Sequence, residues 1–156
     1  PILFISAPGR EEEVVTRLAR VGYDNAIGYL DGGVEAWKAA GEPLETLDEI
    51  SAEAFAEKFA NEQLNLLDVR RISEYKAQHI VGAVNFPLDF INKNLSQLDP
   101  SKEYYLHCAG GYRSVIAASI LRARGFDKLV NIRGGFKELQ KTNLPLTEYV
   151  EQATDL

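Results

Sequence analysis

The chemistry on offer sits in one short stretch, Cys108-Ala109-Gly110-Gly111-Tyr112-Arg113-Ser114, where an apolar strand-like run gives way to a helical pattern. A loop wrapped round a side chain at a helix N-terminus points successive backbone N–H groups inward and adds the positive end of the helix dipole. An anion there is stabilised without any lysine. For a cysteine the anion is the thiolate, so the thiol is expected to ionise readily and act as a nucleophile at neutral pH. Gly110 and Gly111 allow conformations and close approaches that side chains resist. Arg113 either braces the loop or holds an anionic substrate through its fork of donors. Residue type alone would make a lone cysteine a buried, inert thiol. The strand, the paired glycines, the Arg-Ser and the helix together favour a nucleophile.

Other candidates follow from topology. In an open α/β sheet, ligands sit beyond the carboxyl ends of the strands. That rule brings Asp68, Arg70, Arg71, Cys108 and Arg133 toward one rim. Arg70 and Arg133 are therefore substrate-binding candidates for a small anion, against the plainer reading of solvated loop charges. Asp68 is expected to brace backbone and arginine rather than move a proton. His107 precedes the cysteine on a strand and points to the opposite face, and both His79 and His107 read as structural. Trp37 and Phe136 read as core, and Tyr112 as an exposed wall at the pocket mouth. Arg122 and Arg124 suit the last turn of a helix.

The elements that must position this loop are legible as alternating patterns. Residues 64–69, 83–86, 104–108 and 129–132 are short apolar runs that suit buried strands. Ser51 caps a helix, with Ile50 and Phe55 spaced as a hydrophobic staple. Residues 113–124 place Val115, Ile116, Ser119, Ile120 and Ala123 on one face and stop at Gly125. Residues 11–21 end at Gly22 in the same way. Strands alternating with helices imply an α/β fold with a parallel sheet flanked by helices. Residues 42–62 hold seven acidic residues and one base, Lys58, and read as a solvated linker running into an exposed helix.

Composition narrows the classes. The 156 residues carry 17 Lys and Arg against 23 Asp and Glu, a net charge of −6, which is no footprint for a general nucleic-acid binder. No apolar run approaches the ~20 residues of a membrane span. One cysteine with two histidines does not suit a structural zinc site, so no metal and no cofactor is expected. A reducing, cytoplasmic setting is the default for such a chain. It holds no methionine and begins at Pro1, which points to a piece of something longer.

The chain also repeats itself. Gly22-Tyr23-Asp24 matches Gly125-Phe126-Asp127, Gly32-Gly33 matches Gly134-Gly135, and Pro43-Leu44 matches Pro145-Leu146. The offset is 103 residues at the first match and 102 at the others. Residues 1–45 therefore read as the back half of one domain, 50–147 as a complete second copy, and 148–156 as a C-terminal tail.

Cys-x-x-Gly-x-Arg-Ser, preceded by Leu67-Asp68-Val69-Arg70, Glu74-Tyr75, His79-Ile80-Val81-Gly82-Ala83 and Asn85-Phe86-Pro87, resembles the rhodanese (sulfurtransferase) homology domain. The closing Gly125-Phe126 and Gly134-Gly135 fit as well. The resemblance implies a rhodanese-like fold and a thiosulfate sulfurtransferase-type activity. Cys108 would take a sulfane sulfur from thiosulfate or a low-molecular-weight persulfide and pass it to a thiol or cyanide, with the amides of Ala109, Gly110, Gly111, Tyr112, Arg113 and Ser114 cradling the persulfide. Its partners would be small sulfur anions and thiols, with neither nucleic acid nor membrane.

The front half resembles the same domain without its nucleophile. It has Ile5-Ser6-Ala7-Pro8-Gly9-Arg10 at the loop position, and Pro8 removes one N–H donor. It keeps Gly32-Gly33 and Trp37, where the second copy has Leu139. An inactive copy ahead of an active one resembles the tail of fusions with a metallo-β-lactamase-like persulfide dioxygenase, which implies such a domain upstream. Two other functions stand beside sulfur transfer. Related phosphatases and arsenate reductases place one more residue between cysteine and arginine than the four here, making a ring for a larger oxyanion. A noncatalytic binding module suits the cysteine-less front half.

Overall fold

The computed structural model describes residues 1–151, so the expected tail at 148–156 lies partly outside the described residues. The chain divides into two units, residues 1–46 and residues 47 onward. The front unit runs β1 (Ile2–Phe4), α1 (Glu11–Ala19), β2 (Ala26–Tyr29) and α2 (Gly33–Ala39). β1 and β2 pair in parallel, Ile2 with Ala26 and Phe4 with Tyr29. Little of this unit is buried. Gly33 is its one fully buried residue. Trp37, expected in a core, is 38% exposed and donates its indole N–H to the Pro43 carbonyl at 2.9 Å.

The second unit continues with β3 (Asp48–Ile50), α3 (Ala52–Asn61), β4 (Asn65–Asp68), α4 (Ile72–Ala77), β5 (Val84–Asn85), α5 (Ile91–Asn94), β6 (Tyr104–His107), α6 (Tyr112–Arg122), β7 (Leu129–Ile132) and α7 (Gly135–Leu139). Its five strands are all parallel, in the order β3-β7-β6-β4-β5. The sheet is thus the expected one, with helices on both faces. Alternation along β6 divides the core. Tyr104, Leu106 and Cys108 face one layer with Leu67, Val69, Phe86 and the α6 residues Ala117, Ala118 and Leu121. Tyr105 faces the other, with Phe55, Leu66, Ile80, Ile132 and Leu139. Among the described residues no helix is long and apolar enough to cross a membrane.

Two expectations fail for identifiable reasons. The acidic stretch 42–62 is not all linker. Asp48–Ile50 pairs with Val130–Ile132 as an edge strand, and α3 buries Ala52, Phe55 and Ala56. An edge strand keeps one side in water, so Asp48 and Glu49 are tolerated there. The Ser51 cap does form, Oγ accepting from the Ala54 amide at 3.2 Å. On α6 the buried side is Ser114, Ala117, Ala118 and Leu121, not the face bearing Val115, Ile116 and Ser119. The sheet lies close to the helix, and small side chains let it approach; the larger apolar ones turn outward.

His107 is buried as expected on the face opposite Cys108, its ring stacked on Phe136. Nδ1 lies 3.4 Å from the Cys108 carbonyl oxygen and Nε2 lies 3.8 Å from Asp68 Oδ2 without a hydrogen bond. Burial lowers its pKa; Asp68 opposes this, and Arg70 adds to the lowering. The fold therefore holds the ring neutral.

Phe55→Ala is expected to cost about 3–5 kcal/mol of unfolding free energy, whereas exposed Glu57→Ala stays within about 0.5 kcal/mol; urea titration of both checks that α3 is a core helix. Because the folded state disfavours protonated His107, its contribution is full above the ordinary histidine value. It is lost as pH falls through that value toward the lower folded one. Denaturation midpoints measured across this range should fall more steeply for the native chain than for His107→Gln.

Candidate active site

The loop after β6 curls round the sulfur. The Gly111 amide donates to Cys108 Sγ at 3.1 Å, and the Ser114 hydroxyl lies 3.6 Å from the sulfur. That hydroxyl also lies 3.1 Å from the Gly111 carbonyl, so its one proton serves either acceptor. Burial is the largest single influence on the thiol and raises its pKa. The Ser114 hydroxyl and amide and the amides of Gly111 and Gly110 together outweigh it, and the net pKa is lowered. The amides that act on the sulfur are thus those of Ser114, Gly111 and Gly110. Gly111 reaches this geometry at φ +100°, a region that favours glycine.

The loop keeps its shape because its carbonyls are taken elsewhere. The amides of Phe136 and Lys137, at the start of α7, donate to the carbonyls of Cys108 and Ala109 at 2.7 and 3.1 Å. Gly135 makes this possible: a Cβ there would collide with the Cys108 carbonyl. With the Ala109 carbonyl turned toward α7, the Gly110 amide that follows it acts on the sulfur.

The arginines divide differently from expectation. Arg113 braces. Its guanidinium meets the Glu74 carboxylate with both arms, at 2.6 and 2.8 Å, and Glu74 also accepts from the Arg71 amide at 3.1 Å. The hydrogen bond from Arg113 is the chief cause that lowers the Glu74 pKa; burial opposes it, and the Arg71 amide adds to the lowering. Arg70, a substrate-binding candidate, is 4% exposed. It donates to Asp68 at 2.5 to 3.0 Å and to the Gln78 carbonyl at 2.8 Å, and its guanidinium lies 3.9 Å from the Phe136 ring centroid. Through Nε and Nη2 it braces the end of the strand against Asp68 and the Gln78 carbonyl. Asp68, its partner, is structural as expected. Arg133, the other candidate, is exposed and lies 3.6 Å from Glu49. It lines a cavity with Ser51, Glu53 and Glu138.

Tyr112 is 80% exposed as expected, but it is not among the residues that line the cavity beside the loop. His79 stacks on Tyr75, centroids 3.7 Å apart, with Nδ1 2.8 Å from the Tyr75 carbonyl, and is structural. A cavity of about 380 Å³ adjoins the loop, lined by Val69, Arg71, Glu74, Leu88, Asp89 and Arg113. Sequence reasoning missed Glu74 and Asp89 as site residues. Glu74 had a signal: it stands three residues after Arg71 at a helix start, where a carboxylate caps the free amides. Asp89 had none. Among the described residues no group of three or more His, Cys, Asp or Glu side chains is arranged to hold a metal.

Comparison with known proteins places this geometry in a family. A model of the rhodanese-like domain matches residues 51–142. YrkF of Bacillus subtilis is 40% identical over 98 residues, which are 62% of this chain and 53% of YrkF. The chain thus spans about half the length of that relative. A sulfurtransferase of Allochromatium vinosum is 27% identical over 101 residues, 64% of this chain and 94% of that protein. The crystal structure of a rhodanese-like domain protein from Staphylococcus aureus superposes with a TM-score of 0.59 at 30% identity. It covers 64% of this chain and 97% of that one. With over half its length matched, and a cysteine loop closed by α7 at the end of a parallel strand, the chain belongs to the rhodanese-like domain family.

Proposed function

We propose that the protein is a sulfurtransferase that carries a sulfane sulfur as a persulfide on Cys108. The observation that carries this reading is the set of inward donors on Sγ, which stabilise a negative sulfur in a buried place. In the first half-reaction the Cys108 thiolate attacks the outer sulfur of the donor. The donor's S–S bond breaks, and sulfite (from thiosulfate) or a thiolate (from a persulfide) leaves with the electron pair. In the second, a thiolate or cyanide attacks the outer sulfur of the Cys108 persulfide and the Cys108 thiolate departs. Both half-reactions pass through an anionic sulfur, so fixed amide donors that need no reorganisation serve each. The protein needs no general base once the thiolate is the resting form, which agrees with His107 and His79 being tied up structurally. The close ring formed with four residues between Cys108 and Arg113 suits one sulfur atom.

We propose also that residues 1–46 are a cysteine-less partial copy of the same domain. Supporting this, the unit repeats the order of β6, α6, β7 and α7 with a parallel strand pair. A Cβ on Gly33 would lie 3.0 Å from the Ser6 carbonyl, the counterpart of Gly135 against Cys108. Ser6 occupies the nucleophile's place by the 102-residue offset, so this unit carries no sulfur.

Two outcomes test the reading. Alkylation by iodoacetamide followed across pH should show a midpoint below that of free cysteine, and Ser114→Ala should move it upward and slow alkylation at neutral pH. Incubation with a sulfane donor should add the mass of one sulfur atom to the intact chain. Cys108→Ser should lose both the adduct and turnover, while an active serine variant would end the proposal.

A further inference from the structure

The cavity beside the loop contains two guanidiniums and two carboxylates, and they are matched. Arg113 is engaged by Glu74 through both arms. Arg71 Nε lies 3.8 Å from Asp89 Oδ2 with both side chains exposed, a looser pairing through solvent, and these are the other two charged residues of the lining. The loop adds no charge through Ala109, Gly110, Gly111 or Tyr112. Farther along the rim, Arg70 is buried on Asp68 and Arg133 lies beside Glu49. Every arginine placed at the carboxyl ends of the strands thus has its own carboxylate.

A thiosulfate dianion approaching Cys108 along this wall meets formal charges that sum to zero. With Asp89 facing Arg71, its sulfonate gains little net attraction to offset the water it sheds. A persulfide R–S–SH on an uncharged carbon skeleton makes no such demand. An apolar surface also begins at the loop: Tyr112, Val115 and Ile116 are 80%, 44% and 37% exposed. They stand at i, i+3 and i+4 on α6 and so share one side of it.

We propose that Asp89 is a specificity-determining residue: by neutralising Arg71 it makes the site select persulfides on uncharged carbon skeletons over thiosulfate. This rests on Cys108 being the sulfur carrier. The Cys108 thiolate attacks the outer sulfur of R–S–SH, and the new S–S bond forms as the donor's breaks. The pair leaves on R–S⁻, and the proton stays on the transferred sulfur. Cys108 is oxidised by as much as the donor thiol is reduced, so no further oxidant enters.

The test measures kcat/KM for thiosulfate and for benzyl persulfide, with one thiol acceptor. It uses the full chain, Asp89→Asn, and Arg71→Gln combined with Asp89→Asn. The native chain should favour benzyl persulfide. Asp89→Asn should shift the ratio toward thiosulfate by about fivefold, the gain should shrink with added potassium chloride, and the double variant should restore the native ratio. A native chain that uses both donors equally, or a ratio that Asp89→Asn moves by less than about twofold, overturns the assignment. Intact mass separates the two levels: if both donors load Cys108 and the ratio stays put, only the role of Asp89 falls. If neither loads it, sulfur transfer itself falls.

Discussion

The site depends on where two carbonyl groups point. A peptide carries its donor and acceptor on opposite sides, so a loop can turn N–H groups toward one centre only if its carbonyls find partners on the outside. Here the partners are the first free amides of α7, which take the oxygens of Cys108 and Ala109. Those amides are orphans of the helix start and need an acceptor in any case. One contact therefore satisfies two buried needs and leaves the inner donors aimed at the sulfur. It also imposes the absence of a side chain at Gly135, since the helix start must touch the loop backbone. The glycine pair before α7 is thus part of the active site although it never faces the thiol.

The second constraint is charge. The Cys108 pKa is lowered by hydrogen-bond donors of its own loop, and the nearby guanidiniums of Arg113 and Arg70 are engaged by carboxylates. Arg113 with Glu74 ties the start of α6 to α4, and Arg70 with Asp68 and the Gln78 carbonyl ties the end of β4 to the segment after α4. Leaving either arginine without its carboxylate would leave a partly or fully buried charge uncompensated. The arrangement separates two tasks that a sequence cannot distinguish by residue type: bracing a loop and binding an anion both call for arginine.

That distinction explains what was and was not legible. The cysteine loop, the strand before it and the helix after it follow from local signals: a short apolar run, glycines and a helix stop at Gly125. The parallel sheet follows from alternation. Arg70 was misplaced because the strand-end rule locates a backbone, and a long side chain can fold back under it to reach Asp68 and the Phe136 ring. The α6 face was inverted because hydrophobicity and burial diverge where a helix lies close on a sheet; Ala117 and Ala118 fit there and Ile116 does not. β3 escaped notice because an edge strand of three residues, two of them acidic, has the composition of a linker. Its pairing is a tertiary fact.

The two units show which parts of this design are separable. The front unit retains the strand pair, both helices and the glycines before α2, yet it has serine where the nucleophile would stand and proline two residues later. Pro8 offers no N–H, so this loop could not complete a ring of donors even with a cysteine restored. The helix-to-carbonyl approach nevertheless persists, Gly33 standing against the Ser6 oxygen. The contact belongs first to folding, where it satisfies a helix start and a strand end together. In the second unit a cysteine stands at that same point, and the Gly111 amide donates to its sulfur.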